Sequence, residues 1–264
     1  MTTDPIIVTQ RGAALWIRLN RPQALNSMSP VMITGINAAL DQAQSNADLR
    51  AIVITGTGRA FCAGADLKEA LAMTVGSDPE TATAAFTESF RLLADRIERF
   101  RLPVIAAVNG LAIAGGLEIV LGCDLVIAAQ SARLGDGHGK YGLMPGGGGS
   151  VRLPRKIGPM RAKYLMFTAE YLPAQTLADW GLVTEVVADD ALEVAVDALV
   201  AKLADKSPLG LARLKQLVDD GLDQPVEVAM RAEQLMSALH NLSHDRAEGL
   251  AAFTEKRAPK FTGR

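Results

Sequence analysis

The strongest constraint on this chain is a set of three short, continuously apolar runs: AIVITG at 51–56, PVIAAVNG at 103–110 and DLVIAA at 124–129. A strand that is apolar at every position has no face for solvent, so such runs belong to a parallel sheet covered on both sides by helices. In sheets of that kind ligands bind at the carboxyl ends of the strands. The turns that follow the runs are therefore where chemistry is expected.

The segments around them supply the other layers. IIVT and AALWIRLN, separated by QRG, predict a hairpin, and NRPQALNSMS reads as a loop. Ser29 and Pro30 have the character of an N-cap and first helical residue, opening a helix to about Gln44. Asp66 with Glu69 three residues later resembles a capping pair. The polar stretch 73–87 predicts a mobile insertion ahead of a helix ending near Phe100. AIAGGLEIVLGCD predicts a helix between the second and third runs. Beyond Pro159 the chain is mostly helical apart from LVTEVV, and three amphipathic segments from Ser207 through Lys256 have little core of their own. They are expected to pack on the main domain or on a neighbouring subunit.

Composition excludes several classes. A net charge of -2 and pI near 6.0 give no electrostatic footprint for nucleic acid or an anionic membrane surface. The most membrane-like stretch, Leu102 to Ala129, is interrupted by Pro103, Asn109, Glu118 and Asp124. The amino terminus lacks a basic segment followed by an apolar core, so a cytoplasmic protein is expected. Cys62 and Cys123 sit in apolar runs without ligand spacing and read as buried free thiols. His240 and His244 have no recognisable third ligand, so surface or interface residues are expected there and no metal site. Asp124 reads as a structural carboxylate bonded to backbone groups.

Two strand-to-helix junctions, AGAD at 63–66 and AGGLE at 114–118, place small residues where helix amides are unpaired. On adjacent strands, two such junctions can aim two donors at one oxygen; equally, small residues let helices pack closely on a sheet. Glu118 lies one turn into the second helix in an apolar run, and a carboxylate buried there must be hydrogen-bonded, neutral or functional. The stretch LGDGHGKYGLMPGGGGS holds eight of the 24 glycines and one of three histidines, His138, flanked by Gly137 and Gly139. Those glycines leave the direction of the imidazole open.

The stretches NRPQALNSM, AFCAGADLKE, PVIAAVNGLAIAGGLEIVLGCDLVIAA, YGLMPGGGGSVRLPRKIG and FTEKRAPKF occur in this order across nearly the whole chain. Together they resemble the enoyl-CoA hydratase/isomerase (crotonase) superfamily. The resemblance implies an α/β crotonase spiral of ββα units over 1–200 and a helical trimerisation region over 201–264, assembled as a homotrimer or dimer of trimers. It implies an acyl-CoA thioester substrate whose enolate oxygen is held by the amides of Ala65 and Gly115. Coenzyme A is then part of the substrate, and no further cofactor is implied. By position, the CoA would follow Gln23, Ala24 and Leu25, then Ala63, Gly64, Ala65, Asp66, Leu67 and Lys68, with Lys68 near the phosphates. Phe253 and Lys256 would cover the nucleotide end, from the same or a neighbouring subunit.

Hydratases of this superfamily use two glutamates twenty residues apart. Glu118 matches the first; the second position is His138, and YGLMPGGGG after it keeps the register. An imidazole, with an ordinary pKa of about 6.5, reaches about as far as a glutamate and exists in either charge state near neutrality. The expected reaction is hydration of a 2-enoyl-CoA with His138 as acid partner of Glu118. Isomerisation, decarboxylation, carbon–carbon hydrolysis and passive acyl-CoA binding stay open, as does a His138 that only bonds Asp136 or Tyr141.

Overall fold

The structure is a computed structural model that describes residues 4–66, 69 and 78–264. β1 (Ile6–Arg11) and β2 (Ala14–Leu19) form the expected antiparallel hairpin, with Ile6 opposite Leu19. β2 continues in parallel to β3 (Ala51–Gly56), then β5 (Val104–Val108), β7 (Leu125–Ala129) and β10 (Glu185–Val187), giving a six-stranded sheet in the order β1-β2-β3-β5-β7-β10. Every residue of β3 and β5 is buried, as the unbroken apolar runs require.

The single sheet expected from the sequence is in fact two. β4 (Ala60–Cys62), β6 (Leu111–Ile113), β8 (Arg133–Gly135) and β9 (Leu172–Pro173) build a second sheet in that order. Strands of two or three residues carry too few positions to show a period of two, so sequence patterning does not register them. β4, β6 and β8 each follow a long strand through a tight turn, whereas β9 follows the helix Pro159–Thr168. Asn109 binds two of these turns together: its Oδ1 accepts from the Gly56 amide at 3.0 Å and its Nδ2 donates to the Gly58 carbonyl at 2.8 Å. The AGAD and AGGLE junctions thus leave the short sheet, and β4 and β6 pair in parallel beside each other.

α1 (Pro30–Gln44) starts as its residues spell, with Ser29 Oγ accepting from the Met32 amide. α2 (Pro79–Glu98) corrects the assignment of 73–87 to an insertion, since 79–87 is helix. Asp78 caps the Thr81 amide at 3.0 Å, Pro79 takes the first position and Glu80 complements the helix dipole. The rest of that stretch, 73–77, lies outside the described residues. α3 (Gly115–Gly122) is buried along its whole length. α4 (Gly149–Ile157), α5 (Pro159–Thr168), α6 (Ala174–Asp179) and α7 (Leu192–Ala204) follow, and the core gathers the long sheet with α1, α2, α3 and α7.

The last helices are α8 (Pro208–Gly221), α9 (Val226–His240) and α10 (His244–Glu255). α9 has no buried residue, and Leu214, Leu222, Met230, Leu235 and Phe253 are exposed. One tie to the core is the half-buried pair of Lys215 Nζ with Asp124 Oδ2 at 2.8 Å; the same oxygen accepts from the Val104 amide, the structural use expected of Asp124. His240 ends α9 and His244 begins α10, so the two do not share one helical face. Among the described residues no helix is long and apolar enough to cross a membrane.

Candidate active site

At the first junction Met28 bridges to Ala65. Its amide donates to the Gly64 carbonyl at 2.7 Å and its carbonyl accepts from the Asp66 amide at 2.9 Å. In a bridge of that register the Ala65 amide faces the other way, and among the described residues it has no acceptor. Gly64 turns the chain there with φ +91°, a conformation that L side chains rarely adopt. At the second junction Ala114 holds φ 50°, a strained value for alanine, directly before the Gly115 amide, which is the first unpaired donor of α3. The junctions touch: a methyl group added at Gly64 would lie 3.1 Å from the Gly115 nitrogen. The two junctions, each with an amide that has no acceptor among the described residues, therefore lie side by side at the ends of neighbouring strands of the short sheet.

One turn further, Glu118 is 2% exposed. Its Oε1 accepts from the amides of Gly147 at 2.8 Å and Gly149 at 2.9 Å, while Oε2 has no hydrogen-bond partner among the described residues. Burial pushes this carboxyl above the usual range, against the Gly149 and Gly147 amides and the charge of His138, which favour the carboxylate. The glycine run makes the anchor possible. A methyl group at Gly147 would sit 2.5 Å from the Phe90 ring and 3.0 Å from Glu118 Oε2. Arg152 holds this loop from behind, donating to the Gly147 carbonyl at 2.7 Å while pairing with Asp95 and Glu98 of α2.

His138 opens a short 3-10 turn (His138–Tyr141) after β8. Its Nδ1 lies 3.1 Å from Oδ2 of the buried Asp136, and its backbone amide donates to Asp136 Oδ1 at 3.1 Å. Burial alone would lower the imidazole pKa, but the hydrogen bond and charge of Asp136, with the charge of Glu118, outweigh it and leave it raised. The bond to Asp136 does not remove the histidine from the site, because His138 still lines the cavity. Tyr141 is exposed.

A cavity of about 210 Å³ brings Ala65, Gly115, Glu118 and His138 to one space. Phe86 and Phe90 from α2, with Leu143 and Met144, supply its apolar wall. These aromatics fall at i, i+4, the one signal in the sequence that places a helix face here; Phe86 itself sits in the polar stretch 73–87, whose composition points to an insertion. The amide donors Gly147 and Gly149 and the supporting Arg152 were likewise not singled out, since nothing local ties a glycine run to a glutamate about thirty residues earlier.

Other sequence candidates are less concentrated. The strip Gln23, Ala24, Leu25 does adjoin Ala63, whose amide donates to the Leu25 carbonyl at 3.1 Å. Asn26, buried with φ 57°, fixes that loop: its Nδ2 donates to the Ala60 and Thr57 carbonyls and its Oδ1 accepts from the Arg21 amide. Asp66 caps the Glu69 amide at 3.2 Å, the expected pair, and both carboxylates also hold Arg21. Leu67 and Lys68 lie outside the described residues. Phe253 and Lys256, near the end of α10, are exposed and do not line the cavity. Cys62 and Cys123 are buried free thiols, each pushed up to about 12 by burial.

Comparison with known proteins agrees with this geometry. The family model for enoyl-CoA hydratase/isomerase matches residues 9–264. A mouse protein, enoyl-CoA hydratase domain-containing protein 2, mitochondrial, is 39% identical over 253 residues, covering 94% of this chain and 84% of its own. The 2,3-dehydroadipyl-CoA hydratase of Escherichia coli is 35% identical over 260 residues, covering 98% and 99%. The crystal structure of an enoyl-CoA hydratase from Bacillus anthracis superposes with a TM-score of 0.92 at 36% identity, covering 98% of this chain and all of that one.

Proposed function

The chain belongs to the enoyl-CoA hydratase/isomerase family and has its fold, and on that premise we propose that it hydrates a 2-enoyl-CoA to a 3-hydroxyacyl-CoA. The observation that carries this reading is the state of Glu118: one oxygen is held by two amides and the other has no hydrogen-bond partner among the described residues, in a cavity shared with an imidazole and two amides that likewise have no acceptor among those residues.

In this reading the thioester oxygen lies between the Ala65 and Gly115 amides. That oxygen gains charge as the enolate forms, so each fixed donor stabilises the transition state more than the substrate, by about 3 to 4 kcal/mol. Glu118 Oε2 takes a proton from water as the water oxygen bonds to C3, and the C2–C3 π electrons move into the enolate. His138 as imidazolium gives its Nε2 proton to C2, which collapses the enolate. One water is added, and a solvent molecule returns the proton from Glu118 to His138. The chemistry consists of proton transfers and an anchored oxyanion, with CoA as part of the substrate and no redox or metal group required.

The CoA arm would run along Gln23 to Leu25 and Ala63 to Lys68, with Phe253 and Lys256 reaching the nucleotide end, across a subunit boundary if α10 serves a neighbour. The exposed apolar residues of α8 to α10 support burial of this region against a neighbouring subunit, and a homotrimer or dimer of trimers in a cytoplasmic setting belongs to the same reading. The test is loss of the conjugated-thioester absorbance of a short 2-enoyl-CoA, with the product identified by mass spectrometry. Gain of one water is expected, with Glu118→Gln and His138→Gln each losing at least tenfold in kcat. Chain cleavage, loss of carbon dioxide or unchanged turnover in Glu118→Gln would reject it.

A further inference from the structure

We propose that Asp136 is a positioning residue that fixes the protonation and direction of the His138 imidazole, so that the acid opposite Glu118 is an Asp136–His138 pair presenting Nε2–H to the acyl cavity. This rests on the hydratase reading for its kinetic consequence, but not for its geometry.

Both oxygens of the Asp136 carboxylate are turned on one residue. Oδ1 accepts from the His138 amide and Oδ2 faces His138 Nδ1, each at 3.1 Å, with Gly137 at φ +69° closing the turn between them. A carboxylate can only accept, so Nδ1 opposite it must carry a proton. That assigns the neutral imidazole to the Nδ1–H tautomer and leaves Nε2 as the nitrogen that exchanges protons in the cavity.

The partners also fit each other in charge. Asp136 is 2% exposed, and among the described residues its one ion-pair partner is His138. A buried carboxylate is stable only when paired, so the imidazolium is favoured despite its own burial. Other charged and titratable groups around the turn are directed elsewhere. The Lys140 ammonium lies over the rings of Tyr141 and Tyr171, 5.9 and 6.0 Å from their centroids. On α5, which packs against the turn, Arg161 stacks on Trp180, Tyr164 donates to Glu170, and Lys163 is exposed. Across the cavity only Glu118 adds charge, and its sign also favours the imidazolium.

The proton balance follows. Imidazolium releases its Nε2 proton to C2 and becomes the neutral Nδ1–H form, still donating to Asp136. Asp136→Asn keeps a group of the same shape but removes the charge. It is expected to lower kcat at least tenfold with KM within about threefold, and to move the alkaline limb of the kcat profile down by about 1 to 3 pH units, the range for losing one adjacent charge. In a His138→Gln background the same change is expected to leave kcat unaltered, since Asp136 acts through the imidazole.

Nitrogen-15 NMR of the histidines in the parent provides a readout independent of turnover. With three histidines in the chain, His138→Gln identifies the resonance, and the neutral form is expected to be Nδ1-protonated. An Nε2-protonated neutral form, or an unmoved alkaline limb in folded Asp136→Asn, would overturn the proposal. Full turnover in His138→Gln would instead reject the hydratase role of His138 while leaving the tautomer assignment to the NMR result.

Discussion

Replacing Glu118 in two ways separates its chemical from its structural role. Glu118→Gln keeps an oxygen in the place of Oε1, so both loop amides, at 2.8 and 2.9 Å, keep their acceptor. It removes only the base at Oε2, and a general base contributes about 100-fold to 10,000-fold in rate. Glu118→Ala removes the acceptor as well and strands two buried N–H groups, each costing about 1 to 3 kcal/mol. The alanine variant should therefore be less stable than the glutamine variant by about 2 to 6 kcal/mol. At about 2 °C per kcal/mol for a chain of this size, that is a Tm lower by about 4 to 12 °C. The two proteins are to be compared at equal concentration by thermal melting, with kcat measured on the same samples. Coincident melting curves would refute the claim that this carboxylate anchors the glycine loop. Acidity gives a second sign. The folded-state pKa of Glu118 is raised by burial, so its protonated form favours folding, and that stability is present below about 4.5 and lost as pH rises through the folded value. Relative to the parent, Glu118→Gln should gain Tm as pH rises through this window.

Three further outcomes test the supporting contacts. Gly147→Ala drives a methyl to 2.5 Å from the Phe90 ring and 3.0 Å from Glu118 Oε2, so kcat should fall at least tenfold with a stability loss of about 1 to 3 kcal/mol; parent-like kinetics would show that the loop does not need its close approach. Asn26→Ala removes the acceptor of the Arg21 amide and the donor to two carbonyls at a positive φ; urea titration should show a loss of about 3 kcal/mol or more, and an unchanged midpoint would contradict its structural role. Arg152→Met leaves Asp95 and Glu98 without their shared partner and frees the Gly147 carbonyl; because both carboxylates are about one-third exposed, solvent limits the loss to about 1 to 3 kcal/mol, measurable by the same titration.

Much of the architecture was legible because it is written locally. Buried runs such as AIVITG have no polar face, so the long sheet follows from composition at consecutive positions. The Ser29–Pro30 helix start and the Asp66–Glu69 cap are set by contacts within one turn. The short sheet was illegible because strands of two or three residues are specified by what they lie beside. The start of α2 was missed although Asp78 and Pro79 spell it, because the Ala- and Thr-rich residues around them gave no apolar stripe strong enough to outweigh their polarity.

The site divides in the same way. By itself the sequence determined the family resemblance, the two small-residue junctions, a glutamate in an apolar helix and a histidine at the place of a second acid. Which oxygen of Glu118 is held, which nitrogen of His138 faces Asp136, and that Phe86 and Phe90 wall the cavity were decided only by the folded chain. Side-chain direction, burial and charge pairing are properties of its packing, and a two-residue step from Asp136 to His138 acquires its meaning only when the glycine between them closes the turn.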